Sequence, residues 1–182
     1  MEPAVNVTTS PNPPNVTVAS PGTVGMTDGT LFNLGQTPVV RVYAIRNGVL
    51  TQCNFLAADC RSTNANNWVP IGDNIASLRA VYGRDTSTPM DMVADVFDQT
   101  SPVGTDACGW TRVSAVRLVL VARNTQYNKQ AVTSAPPDWA ASAVAPIDLS
   151  SGANWTQFRY RTFETTVPLR NMTWQGAQPS CP

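Results

Sequence analysis

Apolar and polar residues alternate along several stretches of the chain, and each such stretch predicts a β-strand. Val39-Val40-Arg41-Val42-Tyr43-Ala44-Ile45 is rich in β-branched and aromatic residues, Asn47-Gly48 supplies two residues that tolerate positive φ, and Val49-Leu50-Thr51-Gln52-Cys53 returns. That is the pattern of a tight hairpin. Ile75 to Tyr82, stopped by Gly83, reads as a second strand region, with a helical first turn as the alternative. The longest strand runs from Thr111 to Arg123, with Val116, Leu118, Leu120 and Ala122 on one face. Its other face sets Arg117 and Arg123 around Val119 and Val121, which marks that face as partly solvated or partly covered. Trp155 to Val167 alternates aromatics with arginine and is dense in threonine, as an antiparallel strand beside a long one would be. Only Met90 to Gln99 suggests a short helix, because Met92, Val93 and Phe97 fall near one face.

Between these stretches the chain is irregular. Residues 1–24 contain Pro3, Pro11, Pro13, Pro14 and Pro21 and form an extended lead-in that cannot hold a helix. Its pairs Val5-Val7 and Val16-Val18 could add an edge strand, or the segment could stay disordered until a partner binds. Residues 25–182 are expected to form a single domain. Within it, the Pro-, Ala- and Ser-rich run 130–153, with Pro136-Pro137 and Pro146, is too long for a simple hairpin and reads as a surface loop. The fold class is mostly β or α+β: antiparallel sheets with one or two short helices. No internal repeat is present.

Composition narrows the setting. The chain is 42% hydrophobic and 13% charged, against about 25% charged in an ordinary globular protein, so Ser, Thr, Asn, Gln, Gly and Pro must cover much of the surface. Exported surface proteins share that profile. Twelve basic and twelve acidic residues cancel, and no net field steers the molecule to nucleic acid or anionic lipid. Residues 1–109 carry an acidic excess and residues 110–182 a basic one, a polarity that folding can interleave.

Four cysteines, Cys53, Cys60, Cys108 and Cys181, occur without any histidine. An even count at wide spacing favours disulfides over a zinc site, and three pairings are possible. The six-residue gap between Cys53 and Cys60 allows a small closed loop, which leaves Cys108 to Cys181 by elimination. Disulfides imply the periplasm or the outside of the cell. Met1-Glu2-Pro3 opens no signal region and no run approaches the ~18 apolar residues of a membrane span, so the chain is expected to be an ectodomain truncated from its export segment.

Candidate chemistry is thin, and the expectation is that the protein is not an enzyme and takes no cofactor or metal. Without histidine the commonest general base is missing. Glu2 and Glu164 are the only glutamates, and Glu164 reads as a cross-strand partner for Arg159, Arg161 or Arg117. Asp85, Asp91, Asp95 and Asp98 cluster, but Pro89 interrupts the spacing a calcium loop needs, so a solvated acidic loop is expected. Asn-x-Thr triplets at Asn6, Asn15, Asn154 and Asn171 are treated as accidents of composition. Trp68, Trp110 and Trp155 stand beside predicted strands as core anchors, whereas Trp139 inside the Pro-rich loop is the candidate for partner or ligand contact.

Taken in order, several segments resemble the C-terminal part of PilW-type minor pilins of the type IV pilus machinery. These are Leu31 to Gly35, Tyr43 to Thr51, Trp68-Val69-Pro70, Ile75 to Asp85, and Trp110 with Val116 to Arg123. The strongest is Phe158-Arg159-Tyr160-Arg161-Thr162-Phe163-Glu164-Thr165-Thr166-Val167-Pro168-Leu169-Arg170-Asn171, which is similar to that family's closing strand. The resemblance implies a pilin-like ectodomain behind an N-terminal membrane helix absent from this chain. It also implies a role in initiating or capping the filament, with other minor pilins and the major pilin as partners. Location at the periplasmic face of the inner membrane, then at the pilus tip, follows from the same resemblance. A minor pseudopilin of a type II secretion system and a free-standing adhesin or glycan-binding module are the rival readings. Docking is expected at the edge near residues 1–24 or through the loop 130–153.

Overall fold

The computed structural model describes residues 4–8, 15–18, 39–102 and 107–169. The chain divides into two compact units, residues 1–42 with 53–68, and residues 43–52 with 69–182. The boundary expected after residue 24 lies outside the described residues.

In the first unit, strand β1 (Ala4–Thr8) pairs antiparallel with β2 (Asn15–Val18). The two Val-x-Val pairs thus find each other. The Cys53–Cys60 disulfide closes the expected small loop across a Cα separation of 5.8 Å. Inside that loop the chain turns back on itself, with Ala57 and Ala58 N–H groups both donating to the Asn54 carbonyl at 3.0 and 2.9 Å.

β3 (Arg41–Arg46), β4 (Val49–Asn54) and β5 (Val69–Asp73) form a three-stranded sheet in that order. The hairpin turn has Asn47 at φ 53 and Gly48 at φ 76, the two left-handed residues that Asn-Gly specifies. β5 carries no strand signal in the sequence, since Pro70 sits within it. Proline is accommodated on this edge strand, where the register with β4 shifts beside it, between Leu50 and Thr51.

The larger sheet is antiparallel with order β7-β6-β8-β9: β7 is Val96–Asp98, β6 Ile75–Arg84, β8 Val113–Arg123 and β9 Tyr160–Pro168. β6 does not stop at Gly83. A Cβ there would lie 2.8 Å from Phe97 Cε1, 2.9 Å from Ala94 Cβ and 3.1 Å from Ala115 Cβ, so the glycine lets β7 and β8 close on either side of it. The helix expected over Met90–Gln99 is absent. Met92 has φ 65, which a helix excludes, and the Asp85 carboxylate takes the N–H groups of Asp91 (2.8 Å) and Met92 (2.6 Å) that would open the first turn. The segment instead crosses to the β6 edge as β7. Helical structure is confined to α1 (Ala107–Thr111) and to single turns at Ala65–Asn67 and Trp155–Gln157 among the described residues. The last of these also corrects the expected start of the closing strand, which begins at Tyr160. No helix among the described residues is long and apolar enough to cross a membrane.

The core lies on the face of β8 that carries Arg117 and Arg123, the covered one of the two alternatives left open for it. Val119 and Val121 are both 0% exposed, and with Val81 they meet Trp139, Ala141, Ala145, Ile147 and Leu149. The 130–153 segment is therefore a strap that covers the sheet, which corrects its reading as a surface loop. The arginines on this face left both alternatives open, and tertiary partners decide between them. Arg117 places its guanidinium 3.7 Å from the Phe97 ring centre and bonds Thr166 Oγ1 at 3.1 Å, and Arg123 lies 4.4 Å from the Phe158 ring. Each guanidinium thus finds an aromatic ring, and Arg117 also a hydroxyl, within the domain.

Candidate docking surface

Cross-strand pairing sorts the large sheet into two faces. Away from the strap, Leu78, Leu120 and Phe163 form one row, Ala80, Leu118 and Thr165 the next, and Tyr82, Val116 and Val167 a third. The middle strand of each row is half-buried, and the β9 members are exposed, Phe163 at 54%. From Phe163 to Pro168 every residue of β9 is exposed, on both faces of the sheet. Cover is greatest at the beginning of the strand, where Tyr160 packs against the core and donates its hydroxyl to the Trp155 carbonyl at 3.0 Å, and further along the strap touches β9 through Ala140 and Glu164. Burial pushes that phenol above its ordinary value.

The ladder also fixes which backbone groups of β9 point outward. Asn124 N–H donates to the Arg159 carbonyl and Leu169 N–H to the Ser114 carbonyl, both at 2.9 Å, and the intervening register has no bulge. Hydrogen-bonded pairs alternate in an antiparallel ladder, so Arg161, Phe163, Thr165 and Val167 bond β8. Tyr160, Thr162, Glu164 and Thr166 direct their backbone groups away from the sheet.

Electrostatically this edge is basic. Arg159 and Arg161 are exposed, with the Arg161 guanidinium 5.6 Å from the Phe163 ring. Glu164, the acid of the strand, sits 3.8 Å from Arg117 Nε and accepts from the Ala140 N–H at 3.3 Å, which selects Arg117 among the three partners expected.

Other sequence candidates fall elsewhere. Trp139 is 7% exposed and its indole N–H donates to the Ala145 carbonyl at 2.8 Å, so the proposed ligand contact is a core residue. Trp155 packs against the core, and Trp68 donates its indole N–H to the Ser62 carbonyl at 3.4 Å. Trp110 is the reverse of a core anchor: it is exposed and meets Tyr82 edge-to-face at 5.9 Å. The expected Cys108–Cys181 pairing involves residue 181, which lies outside the described residues, as does the Asn171 triplet.

The acidic cluster is solvated only at Asp91 and Asp95, which are exposed. Asp85 is buried and accepts from the N–H groups of Ser87 (2.8 Å), Asp91 and Met92, with Arg112 Nη1 3.9 Å away. Asp98 is paired in fork geometry with Arg84, whose hydrogen bond holds the carboxyl below the ordinary range. Asp95 is held low first by the Thr86 N–H, then by the Thr86 and Ser87 hydroxyls. These carboxylates organise one loop beside β6 and β7, and Asp91 turns its own toward the Val93 N–H at 2.9 Å.

What sequence reasoning missed was the open end of β9. Its signal was present in the even spacing of Phe163, Thr165 and Val167, which the alternation alone assigns to a core strand.

The sequence pattern of PilW, type IV pilus-assembly protein W, matches residues 42–171. The chain belongs to the PilW family. That match runs from β3 through the end of β9 and so takes in both larger sheets, the strap and the Asp85 loop, while the β1–β2 pair lies outside it. A PilW protein is thereby involved in type IV pilus assembly, and the β9 edge belongs to the part of the chain that carries the family pattern. No curated protein and no solved structure matches this PilW chain.

Proposed function

We propose that the protein is a minor pilin that initiates or caps the type IV pilus filament by docking with other minor pilins and with the major pilin. The observation that carries this reading is the PilW match over a sheet whose last strand ends exposed on both faces. Subunits of a filament are held together by surfaces, and a strand in that state offers backbone, apolar and charged groups at once. The work is binding rather than catalysis. Asp85, Asp98 and Glu164 are each engaged by partners within the domain, and their arrangement serves the fold.

The Cys53–Cys60 bridge supports an oxidising location, hence the periplasmic face of the inner membrane before incorporation at the pilus tip. The strap turns Trp139, Ala141, Ala145, Ile147 and Leu149 inward, which leaves the sheet's open end as the better docking surface than the loop 130–153.

Deletion of the gene in a piliated strain tests the reading. Surface pili should fall at least tenfold and return on complementation, with the protein recovered in sheared pili or cross-linked to minor pilins. Normal piliation in the deletion strain would count against it.

A further inference from the structure

We infer that the outward edge of β9, from Tyr160 to Thr166, receives an extended acidic strand of another filament subunit by β-addition. The inference rests on the minor-pilin reading and specifies the surface through which it acts.

Four observations converge on this edge. The backbone groups of Tyr160, Thr162, Glu164 and Thr166 point away from β8, an evenly spaced row of donors and acceptors suited to one more antiparallel or parallel strand. Among the described residues no proline interrupts it before Pro168, the strand holds no lysine, and its register with β8 runs without a bulge, so its charged groups select a partner rather than block the ladder. The face it shares with the half-buried Leu78, Leu118 and Leu120 presents Phe163 and Val167, which an incoming strand would cover with its own alternate side chains.

Charge selects the occupant. Arg159 and Arg161 are exposed at the start of the edge, while Glu164 faces Arg117 on the opposite side of the strand. Two copies of this chain joined edge to edge would bring two arginines from each into one seam without a new acid to meet them. A foreign strand carrying Asp or Glu at the position beside Arg161, and an apolar residue two places along beside Phe163, satisfies both.

Two substitutions separate the edge from the fold. Thr162→Pro removes one outward N–H and none that β8 receives, and Arg161→Glu inverts the charge of an exposed side chain. Each is to be expressed from the native gene in a piliated strain, alongside the gene deletion and a photo-cross-linking residue at Phe163. Both variants should be present at parental levels, and both should lower surface pili at least tenfold. The residue at 163 should yield an adduct with another pilin that Arg161→Glu abolishes. If Arg161→Glu piliates normally while the deletion does not, the edge inference is overturned and the minor-pilin reading stands. A homodimer as the adduct, or no adduct, also overturns the edge inference. Normal piliation in the deletion itself overturns the reading beneath it. Should Thr162→Pro fail to accumulate, Arg161→Glu and the adduct decide alone.

Discussion

The indole N–H of Trp139 donates to the carbonyl of Ala145 at 2.8 Å, six residues further along the same strap and inside the hydrophobic core. This bond closes the strap into a compact turn whose apolar side chains reach Val81, Val119 and Val121. The large sheet is buried by a segment that has no strand or helix pairing of its own. The stability of the sheet accordingly depends on how well those strap side chains pack.

Trp139→Ala should therefore destabilise the domain by about 3–5 kcal/mol, the range for removing a large aromatic from a core. Trp139→Phe, which keeps most of the packing and loses the hydrogen bond, should lose about 1–2 kcal/mol. Urea melts of the two variants check the order. A surface role for this residue would leave both within about 0.5 kcal/mol of the parent.

Asp85→Ala removes the acceptor for three backbone N–H groups at a buried site. A loss of about 2–4 kcal/mol is expected, together with faster amide exchange at Ser87, Asp91 and Met92. Asp85→Asn should recover only part, because its amide nitrogen would turn a donor toward donors. Hydrogen exchange by NMR reads both effects.

Gly83→Ala forces a methyl group against Phe97, Ala94 and Ala115 at 2.8–3.1 Å. The expected loss is about 1–3 kcal/mol, with chemical-shift changes concentrated in β7. A loss below about 0.5 kcal/mol would mean that β7 moves away without consequence.

Acid should weaken the fold through Asp98. Its carboxyl lies below the ordinary value because of Arg84, so its contribution is complete above the unfolded value of about 3.9 and disappears as pH falls through the lower folded value. Asp98→Asn should lower Tm at pH 6 and flatten the decline between about pH 4 and pH 2. Asp95 and Asp148, also held low, will leave a residual slope; Asp148 is held first by the Ser150 hydroxyl and then by its N–H. Thermal melts across that pH range, parent against variant, give the comparison.

Removing the Cys53–Cys60 bridge by the double change to alanine frees a short loop in the denatured chain and should cost about 2–3 kcal/mol. The parent treated with reductant should shift in the same direction in a chemical melt, and an unchanged midpoint in both would assign the bridge no stabilising part.

Much of the β framework was legible in the sequence because local chemistry decided it. Asn47-Gly48 dictated the hairpin, the alternation from Val113 to Arg123 dictated β8, and the run to Val167 dictated β9. The orientation of β8 was not legible. Arg117 and Arg123 left their face readable as partly solvated or partly covered, and contacts with Phe97, Glu164 and Phe158, which no local pattern shows, decide for cover. The strap was hidden for a related reason: Ala141, Ala145 and Ile147 carry no period, and their burial depends on a sheet formed by residues far away. Met90 to Gln99 failed as a helix because a single carboxylate, Asp85, captured amides that a helix would have left at its start. For the candidate surface, composition gave the basic strand but not its exposure, which depends on where the strap stops.

In the last six residues of β9, Glu164 and Thr166 still answer to Arg117 and the strap on one face, whereas Phe163, Thr165 and Val167 on the other are exposed. Changes at Phe163, Thr165 or Val167 can therefore accumulate with little penalty to folding. Those three side chains lie in the stretch most similar to the family's closing strand, yet the domain's own core, built on Trp139, Val119 and Val121, has little use for them; folding alone does not account for their presence.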